Sequence, residues 1–212
     1  MAVYDFEEQE KIDGLKVWWK TYGTIVIIGI AVFIAAVAGK KVWDYYQGQQ
    51  STQVAELFNE LQEAEAARDT KKTSDAARQL MEGYPDSGYA ARAALIAARA
   101  SLDAGDAPNA KSRLQWVQDH ARESELKDIG CLRMAGILLD EKKFDEALGL
   151  LAAQHGESFD GLYADLRGDV LDAKGKKAEA REAYQVALSK TDQKGSYYNI
   201  VQMKLDALGD AR

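Results

Sequence analysis

The side chains that could do chemistry in this sequence are few, and their spacing matches no catalytic arrangement. The two histidines, His120 and His155, belong to no H-E-x-x-H motif, and no serine stands in a G-x-S-x-G turn. The sequence also has no glycine-rich phosphate-binding loop. Its single cysteine, Cys131, lies among apolar residues and is expected to pack as a small hydrophobe. We therefore expect a protein that is not an enzyme and that uses no cofactor and no metal.

Charged side chains at helical spacing are the remaining candidates, and the chemistry they offer is partner binding. Asp165, Asp169 and Asp172 recur at intervals that place them on one side of a helix. Arg92 and Arg99 occupy corresponding positions two helical repeats earlier. This pattern predicts an interaction groove with an acidic end and a basic end. The alternative is that the charges only keep the helices soluble, because exposed charges usually contribute little.

The elements that must carry these charges form a repeating helical pattern. Four alanines recur at intervals of 33, 37 and 33 residues, each followed four positions later by a larger apolar residue. The four pairs are Ala77 with Met81, Ala110 with Leu114, Ala147 with Leu151 and Ala180 with Tyr184. A small residue that lets two helices approach and a large one that fills the gap are typical of the tetratricopeptide repeat (TPR), a helix hairpin of about 34 residues.

Turn residues fit the same architecture. Gly105 and Gly175 stand at turn positions, Lys142 stands at the turn between them, and Gly168 is the close-packing glycine of the clearest repeat. Because prolines are few and no stretch alternates apolar and polar residues, we expect an all-α fold. The prediction is a TPR-like α-solenoid of about four helical hairpins plus a C-terminal capping helix. That last helix, from Ser196, is expected to pack through Ile200, Met203, Leu205 and Leu208.

An apolar stretch precedes the repeats. Residues 21–39 contain no charge in 19 positions, which as a helix is roughly 28 Å and matches the hydrocarbon thickness of a bilayer. Aromatic residues flank both ends and suit the membrane interfaces. They are Trp18, Trp19 and Tyr22 before the stretch and Trp43, Tyr45 and Tyr46 after it. We expect a retained transmembrane helix; a cleaved secretory signal ending at the A-x-A sequence 36–38 fits poorly, because a long acidic region precedes it.

The predicted organisation is an N-terminal tail (1–20), a transmembrane helix (21–39), a juxtamembrane linker (40–53) and a TPR-like domain (54–212). The linker is polar without proline, so a flexible joint and a continuing helix are both open. Three lysines precede the span within the counting window and two follow it, which favours a cytoplasmic amino terminus. Within the domain, a helix over 54–67 is expected to pair with the helix of Ala77.

The membrane helix carries a possible packing surface of its own. Ala31, Ala35 and Gly39 form a small-xxx-small line that lets another helix approach closely. The alternative is that they reflect only the abundance of small residues in such helices. From Val42 onward the chain has 29 acidic and 22 basic residues, a net negative charge that argues against a nucleic-acid partner.

Together these features resemble the YfgM family of Gram-negative bacteria, the ancillary subunit of the SecYEG translocon. The resemblance rests on YDFEEQEKIDGLKVWWKTYG before the span, ADLRGD at 164–169, GKKAEAREAY after it and QMKLDAL near the end. It implies a single-pass protein of the inner membrane with its C-terminal domain in the periplasm. It also implies association with SecYEG and with a PpiD-type membrane-anchored periplasmic chaperone, and assistance to exported unfolded proteins. The family has no catalytic residues, and for Asp165, Arg167 and Gly168 no role beyond packing is expected.

Two classes of function remain open at this stage. The first is an interaction subunit or chaperone-like partner at the translocon, anchored in the lipid bilayer. The second is a membrane-tethered TPR adaptor that regulates an envelope assembly or stress-signalling partner. Both use a groove on the repeats, so the sequence does not separate them.

Overall fold

The computed structural model describes the backbone of residues 3–209 and, within it, the side chains of residues 16, 18–24, 26–29, 32–34, 37–41 and 52–209. This part of the chain contains helices and no β-strand. The helices are α1 (Val3–Ala66), α2 (Thr70–Gly83), α3 (Gly88–Asp103), α4 (Ala107–His120), α5 (Ser124–Asp140), α6 (Phe144–Leu151), α7 (Asp160–Ala173), α8 (Lys177–Ser189) and α9 (Ser196–Ala207), with a 3-10 turn at Glu157–Phe159. The predicted all-α fold is confirmed.

The chain falls into two compact units, Met1–Gln53 and Val54–Arg212. In the first unit, Trp18–Lys41 form a stretch of 24 residues with a mean hydropathy of 2.3, long and apolar enough to cross a membrane. At the rise of an α-helix it covers about 36 Å, more than the hydrocarbon layer needs. Large apolar side chains on it are exposed, as contact with lipid requires. They include Ile27, Ile28, Val32, Phe33 and Ile34.

Aromatic side chains gather at the start of this stretch. The Trp18 ring centroid lies 6.4 Å from that of Trp19 and 5.9 Å from that of Tyr22. Amphipathic rings of this kind favour the level of the lipid headgroups. The side chains of the second aromatic group, Trp43, Tyr45 and Tyr46, lie outside the described residues. Residues 40–53 belong to α1, so the backbone of the linker is helical.

The second unit has five turns in which one residue has a positive φ. These residues are Arg68, Gly105, Lys142, Gly175 and Gly209, and they are 37, 37, 33 and 34 residues apart. Glycine adopts this left-handed conformation freely, whereas other residues are strained in it. The predicted turn positions at Gly105, Lys142 and Gly175 are thereby confirmed. Four of the turns follow the first helix of a hairpin, which is the end of α1, α3, α5 or α7, and the fifth follows α9.

Small residues let the paired helices approach, as the alanine pattern predicts. Ala77, Ala110, Ala147 and Ala180 are each at most 1% exposed. Gly168 of α7 lies against Tyr184 of α8 so closely that an added Cβ would stand 2.5 Å from the tyrosine ring. The first hairpin pairs the end of α1 with α2, because Val54 and Leu61 share a buried cluster with Ala77 and Leu80. Four hairpins and the additional helix α9 therefore make up the domain.

The orientation of α9 differs from the prediction. Val201 of α9 and Leu208 directly after its end are buried, whereas Ile200 is 50% exposed and Met203 is 70% exposed. The predicted packing through Ile200 and Met203 is therefore wrong. The physical reason is a polar contact: Lys204 bonds to Asp165 of α7 and lies on the same helix face as Val201 and Leu208, so that face turns inward.

Candidate functional site

The first helices α3, α5 and α7 of three hairpins and the additional helix α9 leave side chains accessible at the same four positions. In α3, α5, α7 and α9, the residues that lie thirteen, nine, six and two positions before the turn residue are exposed or half-buried. We call these residues the first-helix face. They are Arg92, Ile96, Arg99 and Asp103 in α3; Ile129, Arg133, Gly136 and Asp140 in α5; Leu162, Leu166, Asp169 and Ala173 in α7; and Ser196, Ile200, Met203 and Ala207 in α9.

The composition of the first-helix face changes along the repeats. Its α3 and α5 portion carries three arginines and two aspartates, whereas the α7 and α9 portion is mainly apolar. In this portion Leu162 is 38% exposed, and Ile200 and Met203 are still more exposed. Exposed apolar side chains that cluster on a soluble domain mark an interaction surface more often than single ones do. The sequence pattern predicted an acidic end, and the structure places an apolar surface in that region.

The predicted acidic residues are held by other parts of the protein. Asp165 is 5% exposed and accepts hydrogen bonds from Tyr197 Oη at 2.7 Å and Lys204 Nζ at 2.9 Å. Asp169 accepts from Lys204 Nζ at 2.7 Å and from Tyr184 Oη at 2.8 Å. One lysine thus joins two carboxylates of α7 to α9. Asp172 is exposed.

The protonation equilibria in this cluster follow from burial and hydrogen bonding. Burial alone would lower the pKa of Lys204, but its bonds to Asp169 and Asp165 outweigh burial and raise that pKa above its usual value. Burial raises the pKa of Tyr184, and the hydrogen bond to Asp169 raises it further. The pKa of Tyr197 is raised by burial and by Asp165 in the same way. At neutral pH Lys204 is therefore charged, and Tyr184 and Tyr197 keep the hydroxyl protons that they donate.

The predicted basic residues do lie on the first-helix face, and both are paired. Arg92 Nη1 donates to Glu123 Oε1 at 3.0 Å and to the Gly88 carbonyl at 2.8 Å. The bond from Arg92 is the largest of the causes that lower the pKa of Glu123. Arg99 Nε donates to Asp103 at 2.8 Å and 3.0 Å. Binding of a partner by these arginines or by the three aspartates stays a prediction.

Arg133 is a residue of this face that sequence reasoning missed. Its Nη1 donates to the Leu95 carbonyl at 2.8 Å, and it lines a cavity of about 380 Å³ together with Arg99. Burial lowers the pKa of Arg133 first, and the charge of Arg99 lowers it further. The signal that could have found it is the turn register, because Arg133 lies nine residues before Lys142 just as Ile200 lies nine before Gly209.

The small-residue line of the membrane helix is described only in part. The side chains of Ala31 and Ala35 lie outside the described residues. At Gly39 an added Cβ would have no neighbour within 4 Å inside the chain. A packing role for the line therefore stays a prediction.

The two histidines and the cysteine make packing contacts within the domain. His155 stacks on Tyr163 with ring centroids 3.8 Å apart, and His120 stacks on Trp116 at 4.4 Å. Cys131 is buried, and burial raises the pKa of its thiol. Among the described residues, no group of three or more histidine, cysteine or acidic side chains is placed to hold a metal ion.

Comparison with known proteins supplies the family. The family described as tetratricopeptide repeat-like domain matches residues 16–210. A curated relative from Neisseria gonorrhoeae, named ancillary SecYEG translocon subunit, is 32% identical over 206 residues, 95% of this chain and 97% of its own length. This chain belongs to the family of ancillary SecYEG translocon subunits.

Other members of the family align over the same length. The relative from Haemophilus influenzae is 31% identical over 97% of this chain and 99% of its own. The one from Escherichia coli is 26% identical over 98% of this chain and 99% of its own. Both carry the name ancillary SecYEG translocon subunit, and with the N-terminal apolar helix they fit a single-pass protein of the inner membrane. No solved structure matches the chain at a significant level.

Proposed function

We propose that this protein is a single-pass inner membrane subunit that associates with the SecYEG translocon and assists a PpiD-type periplasmic chaperone in handling exported proteins. The observation that carries the proposal is the near full-length alignment, which extends from the apolar helix through all the repeats of relatives named for the translocon. The first-helix face is the proposed binding surface. The domain contributes contacts and no catalysis.

The proposed orientation has the amino terminus in the cytoplasm and the TPR-like domain in the periplasm. Three lysines before the apolar helix and two after it support this orientation. The test is protease protection of the full chain carrying a C-terminal tag. The tag should be digested once the outer membrane is opened while the inner membrane stays sealed. A tag that is digested only after the inner membrane is lysed would reverse the orientation.

The apolar part of the first-helix face suits segments of exported proteins that have not yet folded. Such segments expose apolar side chains, and methionine adapts its shape to varied partners better than branched residues do. Lys204 already pairs with both Asp165 and Asp169, so neither carboxylate is an unpaired group that an apolar segment would have to desolvate. The charged part, with Arg92 and Arg99, suits a dedicated partner with complementary charges.

Site-specific photo-crosslinking in intact cells tests the proposal. A photoreactive residue replaces Met203 or Arg99 on the first-helix face, and the matched control replaces Gln79, which is exposed on the second helix α2. We expect adducts with translocon subunits, with the chaperone and with exported chains from the first two positions only. Adducts with a single soluble partner would instead support the adaptor function. Equal adducts from all three positions would refute the assignment of the surface.

The membrane helix is proposed to contact a partner through Ala31, Ala35 and Gly39. A small-xxx-small line allows close approach of a second helix. Ala35→Leu adds bulk at the centre of the line and should weaken copurification with translocon components. Val32→Leu is the matched control, because Val32 is exposed on the same helix. An unchanged yield of the copurified subunits from Ala35→Leu would remove this part of the proposal.

A further inference from the structure

A cavity opens where the second helix of the third hairpin is short. α6 has 8 residues, whereas α2, α4 and α8 have 14, 14 and 13. The chain leaves the helix at Leu151 and passes through a loop before the turn Glu157–Phe159. The missing helical turns leave a cavity of about 450 Å³ bounded by the end of α6, this loop, α7 and α8.

The loop beside the cavity is held in place. The backbone N–H of Gly156 donates to the buried carboxylate of Asp128 at 3.0 Å. His155 stacks on Tyr163 with ring centroids 3.8 Å apart and an angle of 9° between the planes. His155 Nδ1 lies 2.9 Å from the Ala153 carbonyl oxygen. The loop that forms one wall of the cavity is therefore held by contacts within the domain.

The interior of the pocket is apolar. Leu151 is 4% exposed and Ala183 is 8% exposed, and Ala164 of α7 lines the pocket with them. Val186 lines the pocket at its edge and is 50% exposed. Pockets with apolar walls and a few polar groups at the rim are the usual form of a ligand site. One large apolar side chain fits in this volume.

Of the acidic residues and the arginine that line the pocket, Asp160 and Glu179 are paired, whereas Arg167 and Glu182 have no ion-pair partner in the described part of the chain. Asp160 bonds to Lys190 at 2.8 Å, and Glu179 bonds to Lys176 at 2.7 Å. Arg167 is exposed and has no hydrogen-bond acceptor in the described part of the chain. Of the nine arginines with described side chains, seven donate to an acceptor within the protein, and only Arg68 and Arg167 do not. The seven are Arg78, Arg92, Arg99, Arg113, Arg122, Arg133 and Arg181.

The ADLRGD segment contains two further residues whose roles are clear. Asp165 bonds to Lys204, and Gly168 makes room for Tyr184. Packing thus explains the presence of Asp165 and Gly168. Arg167 makes no hydrogen bond to an acceptor among the described residues, so its guanidinium is available to a ligand. A guanidinium offers a planar fork of donors that matches a carboxylate, and arginine is enriched at protein interfaces for this reason.

We propose that this pocket binds a partner protein through an apolar side chain that stands next to a carboxylate. The apolar group enters the space above Leu151 and Ala183, and the carboxylate pairs with Arg167. Glu182 lines the same pocket and is exposed, so its carboxylate repels a negatively charged ligand and weakens the pairing with Arg167. This site is formed by the end of α6, the loop after it, α7 and α8, and it shares no residue with the first-helix face, so it goes beyond the proposed function.

The test uses short acetylated and amidated peptides with the full chain in lipid nanodiscs, and saturation-transfer NMR measures binding. The probe is Ala-Asp-Phe-Ala; Ala-Asn-Phe-Ala lacks the charge and Ala-Asp-Ala-Ala lacks the apolar ring. A charge-assisted pair predicts about tenfold tighter binding of the Asp-Phe peptide than of the Asn-Phe peptide. Equal binding of these two peptides, or equal binding of the Asp-Ala peptide, overturns the proposal.

Variants assign the effect to the pocket. Arg167→Met should abolish the preference for the Asp-Phe peptide, while Arg167→Lys should keep a smaller preference because it retains the charge without the fork. Arg68→Met is the matched control, because Arg68 also lacks an acceptor among the described residues and does not line this pocket. Glu182→Gln should tighten binding of the Asp-Phe peptide. Loss of the preference in Arg68→Met to the same extent refutes the site, since general electrostatics then explains the binding.

Discussion

Lys204 holds α9 against α7, and its replacement gives the sharpest test of the structure. Lys204→Met removes the ammonium group that bonds to Asp165 at 2.9 Å and to Asp169 at 2.7 Å, and keeps an apolar chain of similar length. Side-chain exposure is 31% for Lys204, 7% for Asp165 and 28% for Asp169. Loss of one partner from a buried pair costs about 3–5 kcal/mol, and partial exposure reduces the expected loss to about 2–3 kcal/mol.

The assay is thermal unfolding of the full chain followed by circular dichroism. For a domain of this size, 1 kcal/mol corresponds to about 2–4 °C, so we expect Tm to fall by about 5–10 °C. Lys194→Met is the matched control, because Lys194 is exposed in the loop before α9, and it should change the free energy of unfolding by less than about 0.5 kcal/mol. Equal effects of the two substitutions would refute the cluster as a determinant of stability.

The pH dependence of the same cluster has a definite sign. The folded state raises the pKa of Lys204 above its usual value of 10.5, so the folded state binds this proton more tightly than the unfolded state. The stabilisation is fully present below pH 10.5 and is lost as the pH rises through the raised pKa. The difference in unfolding free energy between the wild type and Lys204→Met should therefore be constant near neutral pH and shrink in strongly alkaline solution.

Three further predictions concern packing, a turn and the binding surface. Gly168→Ala forces a methyl group against the Tyr184 ring and should destabilise by about 1–3 kcal/mol, whereas Gly149→Ala, whose added Cβ meets nothing within 4 Å, should not; equal melting temperatures would contradict this packing. Lys142→Gly relieves a positive φ of 59° and should stabilise by up to about 1 kcal/mol in denaturant unfolding, and a loss of stability would contradict the strain. Met203→Glu should reduce crosslinks to exported chains from neighbouring positions without lowering Tm, and unchanged crosslinks would remove Met203 from the surface.

Much of the fold was predictable because its signals are local. Ala110 and Ala147 mark helix contacts by their size alone, and Gly105 and Gly175 mark turns by the backbone conformation that glycine permits. Lys142 was identifiable as a turn residue only from its place between those two glycines. The apolar stretch was equally predictable, since length and composition are enough to recognise a membrane-spanning helix.

The binding surface was harder to predict, because helical spacing leaves the rotation of a helix open. Asp165 and Asp169 share one side of α7, as their spacing requires, but spacing does not reveal whether that side faces solvent or another helix. Their partner Lys204 lies 39 and 35 residues further along the chain. Two carboxylates that resemble a free acidic surface in the sequence are instead bonded to α9 in the structure.

The sequence by itself determined the membrane helix, the number of hairpins and the positions of the turns, because each depends on residues that are neighbours in the chain. Only the tertiary structure decided which side chains remain accessible. Burial of Val201 and the bond from Lys204 to Asp165 orient α9 so that Ile200 and Met203 are exposed. The early end of α6 at Leu151 creates the pocket beside Arg167. Both results depend on contacts between distant segments, and such contacts are formed only when the chain folds.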